Sequence, residues 1–546
     1  MGKFMKRDPD APLEILNWRL WLCVFVFALM GAARGLDEGL IGTSATQPSF
    51  IKRYGLKDDS STKAQQADLK GNITSMVQMG SIAGALIAFL IVDRIGRLWA
   101  TRQLCILWVA GIALFLASAS NGSLGMLYAG RFVAGMGIGQ TTVVAPSYLA
   151  EISPKANRGF CVGMFSGSVY LGIMIAYFAS YGANKGMDSS TQLQWVVPNL
   201  LHIIFATIIC IFSFFAIESP RWLFKVGRRD QAIANLAKIR GLPEDHWYVA
   251  AEVLDINDQL EREREATKGT KWYGVLRELV SSPANRYRLM LSLFSQLLGQ
   301  WSGANSITIY APEYFEMVGV TGTSTKLFST AIFGVVKFIS ALLCAFYLID
   351  RIGRKRSLMT GISLQLFAMF YMALFLVIDT GVDDPEGQTK SEKQAATVAI
   401  VMIYLSGFGW ALGWNSIQYL INSEIYPLRL RAIGGSFAMT IHFVNQYGNS
   451  KAVPSMFLSL TTGGTMFFFS AVTAIGLVWA WFFLPELAGK SLESIDAVFA
   501  LPWTQIGRHG KELTMDQGGA VENFGIAKGE DAEMVENVHV SVDKKV

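Results

Sequence analysis

The sequence predicts an all-α membrane protein of 12 transmembrane helices in two six-helix halves, and three observations carry that prediction. Charge is scarce: of 546 residues only 16% are Asp, Glu, Lys or Arg against 52% hydrophobic, and mean hydropathy is +0.35. An ordinary soluble chain holds about a quarter charged residues. Twelve runs of mostly apolar residues occur along the chain, each near the length of about 20 that crosses a bilayer. Loop motifs recur at matching places in the two sets of six. The composition excludes disordered, fibrous and nucleic-acid-binding classes, and a net charge of +5 is too small to specify a partner.

The N-terminal segment 1–19 mixes Lys3, Lys6 and Arg7 with Asp8, Asp10 and Glu14. No small-residue cleavage site follows the first apolar run, 20–43, so that run reads as a retained span rather than a signal peptide. Runs two to six cover 72–92, 102–120, 124–149, 160–181 and 197–217, completing an N-terminal bundle over 20–217. A linker follows at 218–287, with short helices such as 255–265; the stretch 218–288 alone holds 24 charged residues. Runs seven to twelve cover 288–316, 326–349, 357–379, 397–424, 432–452 and 465–484, making a C-terminal bundle over 288–484 before a polar tail, 485–546.

Basic residues in short loops set the orientation. With the N-terminus inside, inner loops carry Arg94, Arg97, Arg102, Lys155, Arg158, Arg351, Arg354, Lys355, Arg356, Arg429 and Arg431. The outer loops after runs three, five, nine and eleven hold only Lys185, Lys390, Lys393 and Lys451; the loop 44–71 is the exception, with five basic residues. Both termini are then cytoplasmic. Two sequons, at Asn72 and Asn121, lie near the outer face, too close to helices for much glycosylation.

The halves repeat each other. Asp93-Arg94-Ile95-Gly96-Arg97 after run two recurs as Asp350-Arg351-Ile352-Gly353-Arg354 after run eight. Glu151-Ile152-Ser153-Pro154 with Arg158 recurs as Glu424-Ile425-Tyr426-Pro427 with Arg431. Glu218-Ser219-Pro220-Arg221 closes run six, and Pro485-Glu486 closes run twelve. Such echoes imply parallel halves related by an axis along the membrane normal, with a site between them near the midplane.

The ordered set of motifs resembles the sugar porter family of the major facilitator superfamily, over about residues 18–498. It comprises Gly35-Leu36-Asp37, the two Asp-Arg-Ile-Gly-Arg loops, Gly130-Arg131 with Gly135, Gly137 and Gly139, the stretch 218–223, the stretch Gln300 to Asn305, and Pro485-Glu486 with Leu492-Glu493. The flavour is fungal, and Phe333-Gly334-Val335-Val336-Lys337 resembles quinate and sugar-acid permeases within the family. The resemblance implies a plasma-membrane carrier working by alternating access, functional as a monomer. Its partners would be the lipid bilayer and a small carbohydrate or hydroxy-acid substrate, with no cofactor beyond a coupling proton.

The inner motifs, Asp93, Arg94, Arg97, Glu151, Arg158, Glu218 and Arg221 with Asp350, Arg351, Arg354, Glu424, Arg431 and Glu486, suit ion-pair latches between helices that separate when the carrier changes state. In the family such latches favour the outward-open state. Basic loop residues that signal topology alone are the other reading.

An ionisable side chain deep in a span costs at least about 2.5 to 3.5 kcal/mol. Arg34, Asp37, Glu38, Arg131 and Lys337 are so placed. The resemblance puts Asp37 on the family's proton-coupling aspartate and Arg131 on its partner. Separation of the two in a dry site would raise the affinity of Asp37 for a proton. A static pair, Asp37 with Arg34 or Arg131, is the alternative, and Glu38 can pair with Arg34 four residues earlier.

The resemblance further implies substrate contact by Gln300, Asn305, Trp414, Asn415, Gln418 and Tyr419. Amides that merely join helices are an equal reading for Asn415 and Gln418. Three positions depart from the family: Ser166 and Gly299 stand where it usually has glutamine, and His442, beside Phe443, where it has an amide. With Lys337 added, the thinned neutral-sugar set suggests a carboxylate-bearing polyol, its carboxylate received by Lys337 or His442. Against that stand a Lys337 that snorkels or meets a helix dipole and a His442 that replaces an amide. An uncoupled facilitator and a non-transporting nutrient sensor are the rival functions.

The five cysteines, Cys23, Cys105, Cys161, Cys210 and Cys344, are odd in number, and no two sit at metal-ligand spacing. No disulfide framework or metal site is expected. There is no phosphate-binding loop and no hydrolytic triad signature, so neither a primary pump nor an enzyme is expected.

Overall fold

The structure is a computed structural model that describes residues 12–57, 59–154, 157–267, 272–344, 347, 353–378, 389–415, 425–486, 498–499, 501–509, 513–515 and 521–523. The first span is α1 (Trp18–Leu29) and α2 (Gly31–Ser44), joined at Met30. It starts where Asn17 Oδ1 accepts from the backbone N–H groups of Arg19 and Leu20 at 2.9 and 3.1 Å, an ordinary helix N-cap. After α3 (Pro48–Tyr54) come spans two to six: α4 (Lys63–Ile95), α5 (Arg97–Asn121), α6 (Leu124–Ile152), α7 (Arg158–Gly186) and α8 (Leu193–Ser213).

The linker folds as α9 (Pro220–Lys225), α10 (Arg229–Arg240), α11 (Trp247–Thr267) and α12 (Trp272–Ser281). It has its own small core of Trp222, Leu223, Phe224, Leu236, Val249, Val253 and Leu260. Arg240 is fully buried and pins that unit to span four, donating to both carboxylate oxygens of Glu252 at 2.8 and 2.5 Å and to the Ile152 carbonyl at 2.8 Å.

Span seven is broken into α13 (Pro283–Gln300), α14 (Ala304–Ile309) and α15 (Ala311–Met317). Span eight is α16 (Thr323–Leu343) and span nine α17 (Arg354–Ile378). Span ten is α18 (Lys390–Trp410), which runs on into a π-helical turn at Ala411–Asn415. Spans eleven and twelve are α19 (Leu428–Ser459) and α20 (Thr461–Phe483). The tail contributes α21 (Trp503–His509) and an antiparallel pair, β1 (Leu513–Met515) with β2 (Val521–Asn523), Thr514 facing Glu522.

Among the described residues nine spans are long and apolar enough to cross a membrane by composition alone. The exceptions are spans four, seven and eleven. Span four is diluted by buried Arg131, Gln140, Thr141 and four glycines facing neighbours, and span seven is cut into short pieces. These are spans with polar business at the centre of the molecule.

Several boundaries differ from the sequence reading. Span two begins at Lys63 rather than 72, because Thr62 and Gln65 cap it reciprocally and carry the helix through a polar turn. That start, with α3, fills much of what reads as an outer loop. Span seven breaks because Gly303 takes φ +87°, open to glycine without strain, and because α15 starts with Pro312 in its first turn.

The halves meet along α4 against α19 and α7 against α16. At the expected outer end they are closed together. Gly42 lies so near the Ile309 carbonyl that no Cβ would fit. The Tyr310 hydroxyl donates to the Ser450 carbonyl at 2.6 Å and lies 2.6 Å from Thr74 Oγ1. Two ion pairs flank it, Lys70–Glu313 at 2.6 Å and Lys451–Asp68 at 2.5 Å.

Candidate functional site

Span one brings its charges to the seam between the halves. Asp37 is 2% exposed and Arg131 1%, and Arg131 Nη1 lies 3.2 Å from Asp37 Oδ1. Arg131 is also fixed by span two, donating from Nε to the Ile73 carbonyl at 2.8 Å and from Nη2 to Thr74 at 3.5 Å. Thr74 is the residue whose hydroxyl meets Tyr310 of the other half, so closure of the outer end and the seat of Arg131 share one short stretch of span two. Glu38 points elsewhere: it accepts from Arg34 Nε at 2.7 Å and from Gln446 Nε2 of span eleven at 2.8 Å.

Arg34, Asp37 and Glu38 line a cavity with Gln78, Ser81, Phe443 and Gln446. Its volume is about 10 Å³, on the scale of one water molecule and far below that of a sugar ring. The site is drawn shut in this arrangement.

The C-terminal half supplies neutral hydrogen-bonding groups. His442 is 1% exposed and lies between Gln296 Oε1, 2.8 Å from Nδ1, and Gln300 Nε2, 3.2 Å from Nδ1 and 3.4 Å from Nε2. The Nδ1–H tautomer suits both, donating to Gln296 and accepting from Gln300 at Nε2. The ring stands in for an amide. Gln446 donates to Asn305 Oδ1 at 3.4 Å, joining Glu38 of one half to Asn305 of the other. Gln300 Oε1 and Asn305 Nδ2 are buried without a hydrogen-bond partner. Each such group costs about 1 to 3 kcal/mol, which a ligand hydroxyl would relieve.

Lys337 is 3% exposed and sits where α7, α14 and α16 converge. Its Nζ donates to Thr308 Oγ1 at 2.6 Å and lies over the rings of Tyr170 and Phe333, 5.3 and 5.5 Å from their centroids. Among the described residues no carboxylate lies within ion-pair distance of it. Cation–π contacts offset part of the burial.

Trp414, expected to offer an aromatic face to substrate, instead stacks on Trp479 of span twelve at 6.3 Å and packs on Gly476. It lies in the π-helical turn at Ala411–Asn415. Trp410, one turn earlier, crosses the seam, its indole N–H donating to the Tyr170 hydroxyl at 2.8 Å. Asn415 Nδ2 donates to Ser166 Oγ at 3.4 Å, also across the halves. Gln296, Gln446, Tyr170, Trp410 and Tyr310 are seam residues absent from the sequence reading. A helical spacing of four from Gln300, His442 and Trp414 points to the first, second and fourth.

The inner motifs form a repeated frame inside each half. In the first, Arg97 pairs with Glu151 at 2.6 Å and with Asp93 at 3.1 Å, while Glu218 accepts from the backbone N–H groups of Arg97 and Leu98 at 3.2 and 3.1 Å. In the second, Glu486 accepts from those of Arg354 and Lys355 at 3.2 and 3.0 Å. Gly96 and Gly353, at φ +88° and +89°, turn the chain into these helix starts, where the dipole favours a carboxylate. Burial raises the Glu218 carboxyl above the usual range, against the pull of its backbone donors and Arg97. Arg94 and Arg158 are exposed, and Arg221 donates to Gln259 at 3.2 Å.

These bonds of the first half are intact in this arrangement, in which the opposite ends of the halves also meet at Thr74 and Tyr310. They join helices of one half, which can move as a body without breaking them. Asp350, Arg351, Gln418, Tyr419 and Glu424 lie outside the described residues, as does the side chain of Arg431 in α19.

Residues 23–499 match the family described as "Sugar (and other) transporter". The chain is 31% identical over 512 residues to a probable quinate permease of Aspergillus flavus, covering 93% of this chain and 94% of that one. It is 32% identical over 503 residues to a quinate permease of Neurospora africana, covering 91% and 92%. Its fold is similar to the E. coli xylose transporter XylE in a partially occluded inward open conformation, with TM-score 0.71 at 20% identity over 87% of this chain and 100% of that one. For the proton:xylose symporter XylE bound to 6-bromo-6-deoxy-D-glucose the TM-score is 0.72 at 21% identity, over 88% and 99%. With its motifs, its two six-helix halves and relatives that are transporters, not enzymes, the chain belongs to the sugar (and other) transporter family of the major facilitator superfamily.

Proposed function

We propose that the chain imports a carboxylate-bearing polyol, such as a hexuronate or quinate, across the plasma membrane by proton symport, with both termini cytoplasmic and the monomer as working unit. Lys337 is the observation that carries the cargo assignment. It is buried at the seam with a neutral hydroxyl at 2.6 Å and no carboxylate in ion-pair range among the described residues. A buried cation of that kind is costly unless an anion meets it. The names of the quinate permease relatives support the same class. Gln300 Oε1 and Asn305 Nδ2 supply unmatched hydrogen-bonding groups for the polyol.

Proton coupling is supported by the Asp37–Arg131 pair. Rocking of the halves that draws Thr74 from Tyr310 disturbs the stretch of span two that seats Arg131. Asp37, left in a dry site without its cation, then favours its neutral form and takes a proton from the outer solution. Return of Arg131 expels it inward. A monoanion carried with one proton moves no net charge, so the pH gradient, about 1.36 kcal/mol per unit, drives accumulation.

The test is labelled uptake in a transport-deficient host with competition by galacturonate, quinate and neutral hexoses. The acids are expected to displace the tracer. Displacement by hexoses alone would refute the sugar-acid assignment.

A further inference from the structure

Glu38, Gln446 and Asn305 form a chain of hydrogen bonds that has a direction. Glu38 of α2 is buried, and its Oε1, which already accepts from Arg34 at 2.7 Å, can only accept as a carboxylate oxygen. Gln446 of α19 therefore meets it with the amide nitrogen, at 2.8 Å. The reversed amide would set oxygen against oxygen at that distance. The same nitrogen lies 3.4 Å from Oδ1 of Asn305 in α14, so Asn305 in turn keeps its oxygen toward Gln446 and its nitrogen away. That nitrogen, Nδ2, is buried without a hydrogen-bond partner. Gln300 is left with the opposite sign: its Nε2 is taken by His442 at 3.2 Å, and its buried Oε1 has no partner.

We infer that Gln446 is a positioning residue, oriented by Glu38, that makes Asn305 offer an N–H donor to the cargo while Gln300 offers a carbonyl acceptor. The cargo atom at Asn305 is then one that accepts: a hydroxyl, carboxylate or ether oxygen. At Gln300 it is a hydroxyl, which alone of these can donate. An amide free to turn would serve either kind of atom. A fixed one discriminates, because a cargo group that meets the wrong end leaves two buried polar atoms unpaired. The direction is imposed across the seam, since Glu38 belongs to the N-terminal bundle and Gln446 with Asn305 to the C-terminal one. The inference rests on the reading of Asn305 and Gln300 as contacts of a polyol cargo.

The experiment measures how well galacturonate analogues inhibit uptake of labelled galacturonate, each analogue carrying fluorine or hydrogen in place of one ring hydroxyl. Fluorine keeps a weak acceptor and removes the donor, whereas hydrogen removes both. In the natural chain one ring position, facing Asn305, is expected to favour the fluorine analogue over the hydrogen analogue about threefold. A second position, facing Gln300, should lose equally with either. In Gln446→Met the preference at the first position should vanish while the losses at the second stay as they were, a split that general loosening of the site would not give. Glu38→Met, which removes the group that orients Gln446, should do the same. Where a variant reaches the membrane but no longer transports, the same ratios are read from ligand-induced thermal shifts of the purified protein. Absence of any fluorine-preferring position in the natural chain, or a preference kept in both variants, overturns the inference. Uptake of labelled galactose but not of galacturonate would instead remove the sugar-acid reading, and the same ratios in the galactose series then decide the inference.

Discussion

At their inner ends the two halves are built alike: Glu218 caps α5 through two backbone N–H groups at 3.2 and 3.1 Å, and Glu486 caps α17 through two at 3.2 and 3.0 Å. At the seam they part company. The N-terminal half presents ion pairs, Asp37–Arg131 and Arg34–Glu38. The C-terminal half presents Gln296, Gln300, Asn305, His442 and Gln446, with Lys337 the one cation among the described residues at that depth. The repeat thus preserves the frame of each half, and the candidate site lies where the repeat fails.

The largest effect is expected from Asp37→Asn, on the N-terminal side. Under an inward gradient of one pH unit the natural chain should accumulate sugar acid about tenfold. The variant should only equilibrate it, while retaining exchange of labelled for unlabelled substrate across vesicles. Accumulation by the variant would show the pair to be static. On the C-terminal side, Lys337→Met should raise KM for a sugar acid roughly 10- to 100-fold, the worth of a hydrogen bond to a charged group. KM for a neutral polyol should hardly change. Equal effects on both solutes would assign Lys337 to structure rather than cargo.

A smaller shift tests how the halves are joined. Tyr310→Phe loses the hydroxyl shared with Thr74 and Ser450, worth about 1 kcal/mol per hydrogen bond. Labelling of an introduced cysteine at Thr43 from the outer side should rise about fivefold. The smallest effect probes the shared frame: Glu218→Gln and Glu486→Gln should each lower Tm in detergent by about 2 to 4 °C. Markedly unequal losses would mean that the two caps are alike in geometry only.

The sequence made the charges at the seam legible for a physical reason: in spans where ionisable groups are so costly, Asp37, Arg131 and Lys337 stand out singly. The paired motifs revealed the two halves. Amides do not stand out in this way, and Gln296 and Gln446 escaped although each lies one helical turn from a residue that was found. The packing of Trp414 against Trp479 was not legible because the residue lies in a π-helical turn at Ala411–Asn415, which departs from the 3.6-residue register on which side-chain direction is read. The break in span seven hinges on the left-handed conformation of Gly303, one glycine among 52. The early start of span two was hidden because a capping box, not hydropathy, begins that helix.

The central claim is that a proton travels with an anionic cargo, and the pH of an unbuffered suspension of expressing cells tests it most directly. Adding galacturonate or quinate should alkalinise the medium in step with uptake, and clamping the membrane potential with potassium and valinomycin should leave that uptake unchanged, because the pair moves no net charge. Uptake of either acid without alkalinisation would contradict the account.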